Sequence, residues 1–266
     1  HALRRQASTA PECEGLSVPE REAFAFAHVL AHLPIGLERE ETLAGDFGER
    51  FATEDELRAL AAPGTPPTPS GPPPEPSPLQ LMAERFYCRA GYTTAHTCAD
   101  YRRIVHSGLR DIAEEAAAAL ANASGPRADT LRGMLIALDA VRAWAGRYAA
   151  LAESCAAAEP TPSGRQRLLA IAAACRRVPW EPARSLGEAV QAVWLVHAAI
   201  GFSELSGSSL SLGRADQYLL PLYESDLAAG VPAESIRRSL CDLWLKLNRF
   251  GDPACALNLG GMTADG

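Results

Sequence analysis

The chain has 266 residues, with 25 Lys+Arg against 32 Asp+Glu and a formal net charge of −7. That length supports one large domain or two small ones around a sizeable core. The acidic balance excludes a general affinity for nucleic acid or anionic membrane, since both need a basic face, and no run of about 18 apolar residues is present to span a bilayer.

The first residue is His1 rather than Met, no signal-peptide pattern follows it, and the last residues form a glycine-rich stretch ending at Gly266. The expectation is part of a longer protein, located in the cytoplasm. Seven cysteines are spread from Cys13 to Cys255 with no Cys-x-x-Cys pair. This scatter suits reduced thiols better than a zinc ribbon or a disulfide framework. Lys246 is the one lysine among the 25 basic residues, the other 24 being arginine, which is the pattern of codon bias.

In chain order, the spacing of Ala23, Phe26, Ala27 and Leu30 predicts a helix over residues 19–33, ended by Pro34. His28 and His32 share a face of it. They lack a Glu general base and a third ligand, so no metal is expected there. Residues 63–78 hold nine prolines and read as an extended linker or surface loop, because proline removes a donor and fixes φ.

Asp100 is placed to cap a helix carrying Ile104, Val105, Leu109 and Ile112 on one face. Asp129 or Thr130 is expected to open the next, with Leu131, Met134, Leu135, Leu138, Val141, Trp144 and Tyr148 in period and a run on to Ala158. Ser185 with Glu188 reads as a capping box before Leu186, Val190, Val193, Trp194, His197 and Ile200. Pro232 suits the first turn of a last helix with Ile236, Leu240, Leu243 and Leu247 inward. Strands are expected only at Ser208–Gly213 and Cys255–Met262, where alternation is followed by glycine. The pattern is that of a mostly α-helical chain with a few strands. The division expected is a helical N-terminal segment over 1–62, the proline-rich linker over 63–78, and helices plus strands over 79–266.

Several motifs then occur in a particular order. Ser211 to Gln217 reads Ser-x-Gly-Arg-x-Asp-Gln, and Pro221 to Gly230 reads Pro-x-Tyr-x-x-Asp-Leu-x-x-Gly. Upstream lie Leu33-Pro34-Ile35-Gly36, Glu41-Thr42-Leu43-Ala44-Gly45, His96 to Gly108 (HTCADYRRIVHSG), Arg147-Tyr148-Ala149, Val178-Pro179 and Glu188-Ala189-Val190-Gln191. Downstream lies Asn258 to Gly266 (NLGGMTADG). From about residue 20 onward this succession resembles the glycyl radical enzymes, the pyruvate formate-lyase superfamily.

The resemblance implies a ten-stranded α/β barrel of two parallel half-barrels wrapped in helices, of which this chain holds the N-terminal part. It implies a glycyl radical that generates a cysteine thiyl radical, a radical-SAM activating enzyme as partner, a small-molecule substrate and a homodimer. None of the seven cysteines follows a glycine or precedes a Glu by two, as the family's thiyl cysteine and base would. Arg177-Val178-Pro179-Trp180 has proline where the radical glycine would stand. Both parts are expected beyond Gly266, so no catalytic residue and no metal ligand is assigned within the chain.

Pocket residues are implied at His96, Ser208, Ser209 and Cys88. The formate-lyase type resembles this chain with arginine at the position of His96 and Ala-Ala at Ser208-Ser209. The diol dehydratase type has histidine and, in the second half of the pair, serine, both holding substrate hydroxyls. His96 and Ser209 therefore point to a radical dehydratase or C–X lyase acting on a small hydroxylated substrate. The alternatives are a formate C-acetyltransferase-like parent and a truncated, non-catalytic helical binding module. Arg214 and Asp216 are expected to hold the strand exit together, His197 to be a satisfied core histidine, and His106 to lie at the surface.

Overall fold

A computed structural model describes residues 2–8, 10–46, 97–202, 210–250 and 256–260. Eight α-helices occur among them: α1 (Ala2–Ser8), α2 (Val18–His32), α3 (Tyr101–Leu120), α4 (Gly125–Ala158), α5 (Pro162–Arg177), α6 (Leu186–Gly201), α7 (Ala215–Ala228) and α8 (Ala233–Phe250). The mostly helical character expected from the pattern is present. The proline-rich linker lies outside the described residues, as do Cys88, His96, Ser208 and Ser209.

Helix α4 is the spine. It opens at Gly125 after Ser124, with Pro126 in its first turn, and runs 34 residues. The start is therefore upstream of Asp129, because proline with its preset φ opens a helix as well as an Asp or Thr cap does. Gly133 lets α2 come close: a Cβ there would lie 2.8 Å from the Pro19 carbonyl oxygen. Arg147, one turn beyond the fully buried Trp144, donates to the carbonyls of Leu30 and Leu33. It thus satisfies acceptors that the end of α2 leaves open. At the other end of α2 a capping box forms, with the Ser17 amide donating to Glu20 at 3.0 Å. The Ser-x-x-Glu signal for it stands in the sequence at Ser17–Glu20 and outperforms the one at Ser185. There Glu188 donates its amide to Ser185, but its carboxylate accepts from the Arg184 amide instead.

Helix α3 begins as expected, with Asp100 accepting from the Arg103 amide at 3.1 Å. It is interrupted at Gly108, where φ is +79°. The chain at 179–183 enters the break: Leu109 and Arg110 donate to the carbonyls of Pro179 and Trp180, and Ala183 donates to Val105. A Cβ at Gly108 would meet the Trp180 carbonyl at 2.3 Å, so glycine is required there.

Helix α6 is the centre of the core. Twelve of its 16 residues are buried, from Leu186 to Ala199, so it presents no solvent face. It packs against α3, α4, α5, α7 and α8. Helix α8 is amphipathic, with Ile236 and Leu243 inward and Trp244 and Leu245 largely exposed.

Extended chain is short among the described residues. Cys98 pairs with Ser211 and Gly213 pairs with Leu257, both in parallel. Single bridge residues fall within both stretches expected to be strands, Ser208–Gly213 and Cys255–Met262, but no strand forms among the described residues. The third segment, at Thr97–Cys98, was not expected: that stretch reads as the approach to a helix because only Ala99 separates the pairing from Asp100.

Candidate functional site

The three parallel segments form a ladder in the order 97–98, 210–213, 256–258. Ser211 donates its amide to Thr97 at 2.8 Å, Leu212 to Ala256 at 2.9 Å, and Asn258 to Gly213 at 2.9 Å. Each segment feeds a helix or leaves one. Thr97–Cys98 leads into α3, 210–213 leads into α7, and 256–258 follows α8. Among the described residues these are two isolated parallel bridges, each joined in sequence to a helix.

The exits of the ladder are clamped by polar groups. Asp216, in the first turn of α7, accepts from the Gly260 amide at 2.9 Å and from Arg214. The Arg214 hydrogen bond, with the Gly260 amide, holds its carboxyl below the usual range. Arg214 and Asp216 therefore hold the strand exit, as expected. The Tyr218 hydroxyl donates to the Leu212 carbonyl at 3.1 Å, pinning the middle segment from below. His106 is exposed yet pairs through Nε2 with the Tyr218 carbonyl at 3.1 Å, so the surface histidine also ties α3 to α7.

Below the ladder, α6 carries three polar side chains at i, i+3 and i+6: Gln191, Trp194 and His197. His197 is fully buried and its Nδ1 lies 2.9 Å from the Tyr101 hydroxyl. It is a core histidine with a partner, as the apolar face predicts. Tyr101 is the first residue of α3, three after Cys98, so this contact seats the first ladder segment on α6. Trp194 stacks on His197 and donates to the Gly45 carbonyl at 3.0 Å. Gln191 grips Ala44 from both sides, accepting from its amide and donating to its carbonyl at 2.8 Å each.

Residues 38–46 therefore form a strap threaded across α6. Its outer side is held by α8. Asp242 accepts from Thr42, Lys246 donates to Gly45, Arg249 pairs with Glu41 and Glu38, and Arg238 pairs with Glu40. The sequence marks Gln191 and Lys246 but gives no role to either, nor to Asp242. A glutamine inside an otherwise apolar helix and a single lysine among arginines were the available signals.

The four residues singled out for substrate, His96, Ser208, Ser209 and Cys88, lie outside the described residues. Their described neighbours are brought together. Thr97, next after His96, accepts from Ser211, two after Ser209. A cleft of about 710 Å³ lies elsewhere, between α5, α6, α8 and the strap, and no ladder residue lines it.

Three of the described cysteines, Cys13, Cys98 and Cys175, are poor radical or nucleophilic centres. Burial pushes the Cys175 thiol up to about 12, and Cys13 is buried and donates to the Ala7 carbonyl. Cys98 lies on the ladder, but burial and Asp100 push its thiol up, and Asp100 is committed to capping α3. His28 and His32 stack with ring centroids 4.1 Å apart, and His32 Nδ1 lies 2.9 Å from the His28 carbonyl. Among the described residues no cluster of metal-ligating side chains occurs, and no helix is long and apolar enough to cross a membrane.

Comparison with known proteins defines the class. The sequence model of the family described as pyruvate formate lyase-like matches residues 84–266. The chain belongs to that family. Among curated relatives, isethionate sulfite-lyase of Nitratidesulfovibrio vulgaris is 35% identical over 162 residues, covering 58% of this chain and 19% of the relative. A solved Roseburia inulinivorans structure concerned with 1,2-propanediol dehydration matches with a TM-score of 0.70 and 29% identity, covering 98% of this chain and 36% of that one. A glycyl radical enzyme from Archaeoglobus fulgidus shares the fold, with a TM-score of 0.70 over 97% of this chain and 39% of that one. The chain thus spans about a fifth of that curated relative and under two fifths of those solved chains.

Proposed function

We propose that this chain is the N-terminal portion of a glycyl radical enzyme, a dehydratase or C–X lyase acting on a small hydroxylated substrate. The match of the pyruvate formate lyase-like family over residues 84–266 carries the reading. The relatives favour elimination chemistry, since one is a sulfite-lyase and another structure concerns diol dehydration. On this reading the parallel ladder is the start of the ten-stranded barrel.

The radical centre does not fit the residues here. No cysteine stands in a Gly-Cys or Cys-x-Glu context, and the Cys13, Cys98 and Cys175 thiols are buried, bonded or raised. Both the thiyl cysteine and the radical glycine are assigned to sequence downstream of Gly266. The chain alone is expected to be inactive. The full-length parent is expected to need a radical-SAM activating enzyme and to form a homodimer in the cytoplasm.

This chain's contribution is to hold the substrate. Elimination from a vicinal diol needs both oxygens fixed, one losing a proton while the other leaves. Histidine and serine each make a directional hydrogen bond to a hydroxyl. An arginine at the same place would select a carboxylate through a bidentate pair. His96 and Ser209 take those hydroxyl roles, with Ser208 and Cys88 lining the pocket. The pairing of Thr97 with Ser211 supports this by joining the backbone that follows one residue to the backbone that follows the other.

The test is His96→Ala in the anaerobically activated full-length parent, assayed on a 1,2-diol and on an amino alcohol. Loss of diol turnover by about 100-fold is expected from removing one transition-state hydrogen bond to the reacting oxygen. Unchanged diol turnover, or turnover of the amino alcohol alone, overturns the dehydratase reading.

A further inference from the structure

The structure gives the chain's single lysine a place that its codon bias does not explain. Where 24 of 25 basic residues are arginine, a retained lysine marks a position that arginine does not fill. Lys246 is 2% exposed, the most buried cation among the described residues. Its ammonium donates to the Gly45 carbonyl at 2.8 Å, lies 3.1 Å from Glu41 Oε1, and is 3.9 Å from Asp46 Oδ2. Glu41 and Asp46 are themselves 8% exposed. Three acceptors converge on one compact point. An ammonium with three rotatable donors meets that geometry, whereas a planar guanidinium needs more room and a coplanar fork of acceptors.

The Gly45 carbonyl accepts from Trp194 as well, at 3.0 Å. Its two lone pairs are thus divided between α8 and α6. Gly45 has φ of +114°, and a Cβ there would lie 2.6 Å from Trp194 Nε1, so the strap can present this carbonyl only as glycine. From Trp194 the packing is continuous. Trp194 stacks on His197 at 6.0 Å between centroids, and His197 meets the Tyr101 hydroxyl at 2.9 Å. Tyr101 then contacts the ring of Tyr218, whose hydroxyl holds the Leu212 carbonyl. Lys246 therefore stands at one end of a buried column whose other end is the ladder.

We infer that Lys246 is a positioning residue for the parallel ladder: through Gly45, Trp194, His197 and Tyr101 it sets where Thr97 and Ser211 pair. The inference deepens the reading of the ladder as the substrate side of the enzyme and rests on it for its catalytic meaning. Burial lowers the ammonium pKa, and Glu41 and Asp46 counter that by favouring the charged form.

Hydrogen exchange on the 266-residue chain tests the structural step without catalysis, so its failure is separate from failure of the dehydratase reading. Lys246→Met keeps the length of the side chain and removes its donors. It is expected to speed exchange of the Ser211, Leu212 and Asn258 amides about tenfold or more, while the Val141 and Trp144 amides in α4 are unchanged. Uniform acceleration through α4, or no change on the ladder, overturns the inference. Lys246→Arg is expected to leave the ladder fast. Wild-type exchange in that variant would mean that charge alone suffices and would overturn it too. Should Lys246→Met not fold, Asp242→Asn loosens the same strap at its partly exposed Thr42 anchor. It is expected to speed exchange at Ala44 and on the ladder by a smaller factor, and ladder exchange equal to wild type counts against the proposal. In the full-length parent, Lys246→Met is expected to lower kcat more than it raises KM, because misplaced partners still bind substrate but no longer align it.

Discussion

The strap and the ladder are built by opposite means. The strap at residues 38–46 has no regular structure, yet many polar groups along it are taken by side chains from α4, α5, α6 and α8. The ladder is regular backbone pairing, but only a few amides long. Two or three parallel hydrogen bonds do not hold strands in register by themselves. Their position is inherited from the helices and the strap beneath. The lesson is that a segment without regular structure can be held more completely than one that pairs by backbone.

The comparison can be broken most severely at Gly45. Gly45→Ala forces a Cβ to within 2.6 Å of Trp194 Nε1 at a φ that alanine resists, and should cost about 3 kcal/mol or more. The denaturant midpoint reads this, and ladder exchange should rise with it. Trp194→Phe removes the indole donor and some volume while keeping an aromatic face on His197. A loss of about 2 kcal/mol is expected by thermal melting, with the Gly45 carbonyl left to Lys246 alone. On the ladder itself the effects are smaller. Tyr218→Phe deletes the bond to the Leu212 carbonyl and should cost about 1 kcal/mol, read as faster exchange near 211–213 without change at Ala44.

The smallest effect is at a site remote from both regions. The Ser17 hydrogen bonds and Arg132 bring the Glu20 carboxyl down to about 2. Its folded value lies below its unfolded value of 4.5, so its stabilising effect is complete above pH 4.5 and fades as the pH falls through about 2. Amide exchange in the first turn of α2 should therefore quicken over that window in the wild type and show no such step in Glu20→Gln. The ladder amides should be indifferent to this change.

Much of the helical frame was legible because its signals are local. Asp100 caps α3, Pro34 follows α2, and the period of Val190, Val193, Trp194 and His197 marks a helix. The start of α4 was misplaced because Pro126 and Ser124 compete with Asp129 as openers, and the local signals do not rank them. The break at Gly108 was invisible for a similar reason. Its cause is the insertion of 179–183, some seventy residues away in sequence. Thr97–Cys98 could not be read as a strand because two residues carry no alternation. The role of Arg214 and Asp216 was legible, since opposite charges two apart at a glycine turn form a local clamp. Lys246 was not, because codon bias explains a rare lysine until its burial is known.

The most direct test of the whole account is a double-mutant cycle on His96 and Ser209 in the activated full-length parent, with turnover of a 1,2-diol as the readout. If both residues hold hydroxyls of one substrate, each alanine variant alone should lose about 10- to 100-fold in kcat/KM. The double variant should lose less than the product of the two, because a substrate freed at one oxygen no longer benefits fully from the other. Wild-type turnover in either single variant, or losses that multiply as independent sites, would contradict the claim that the ladder's two flanks grip the same substrate.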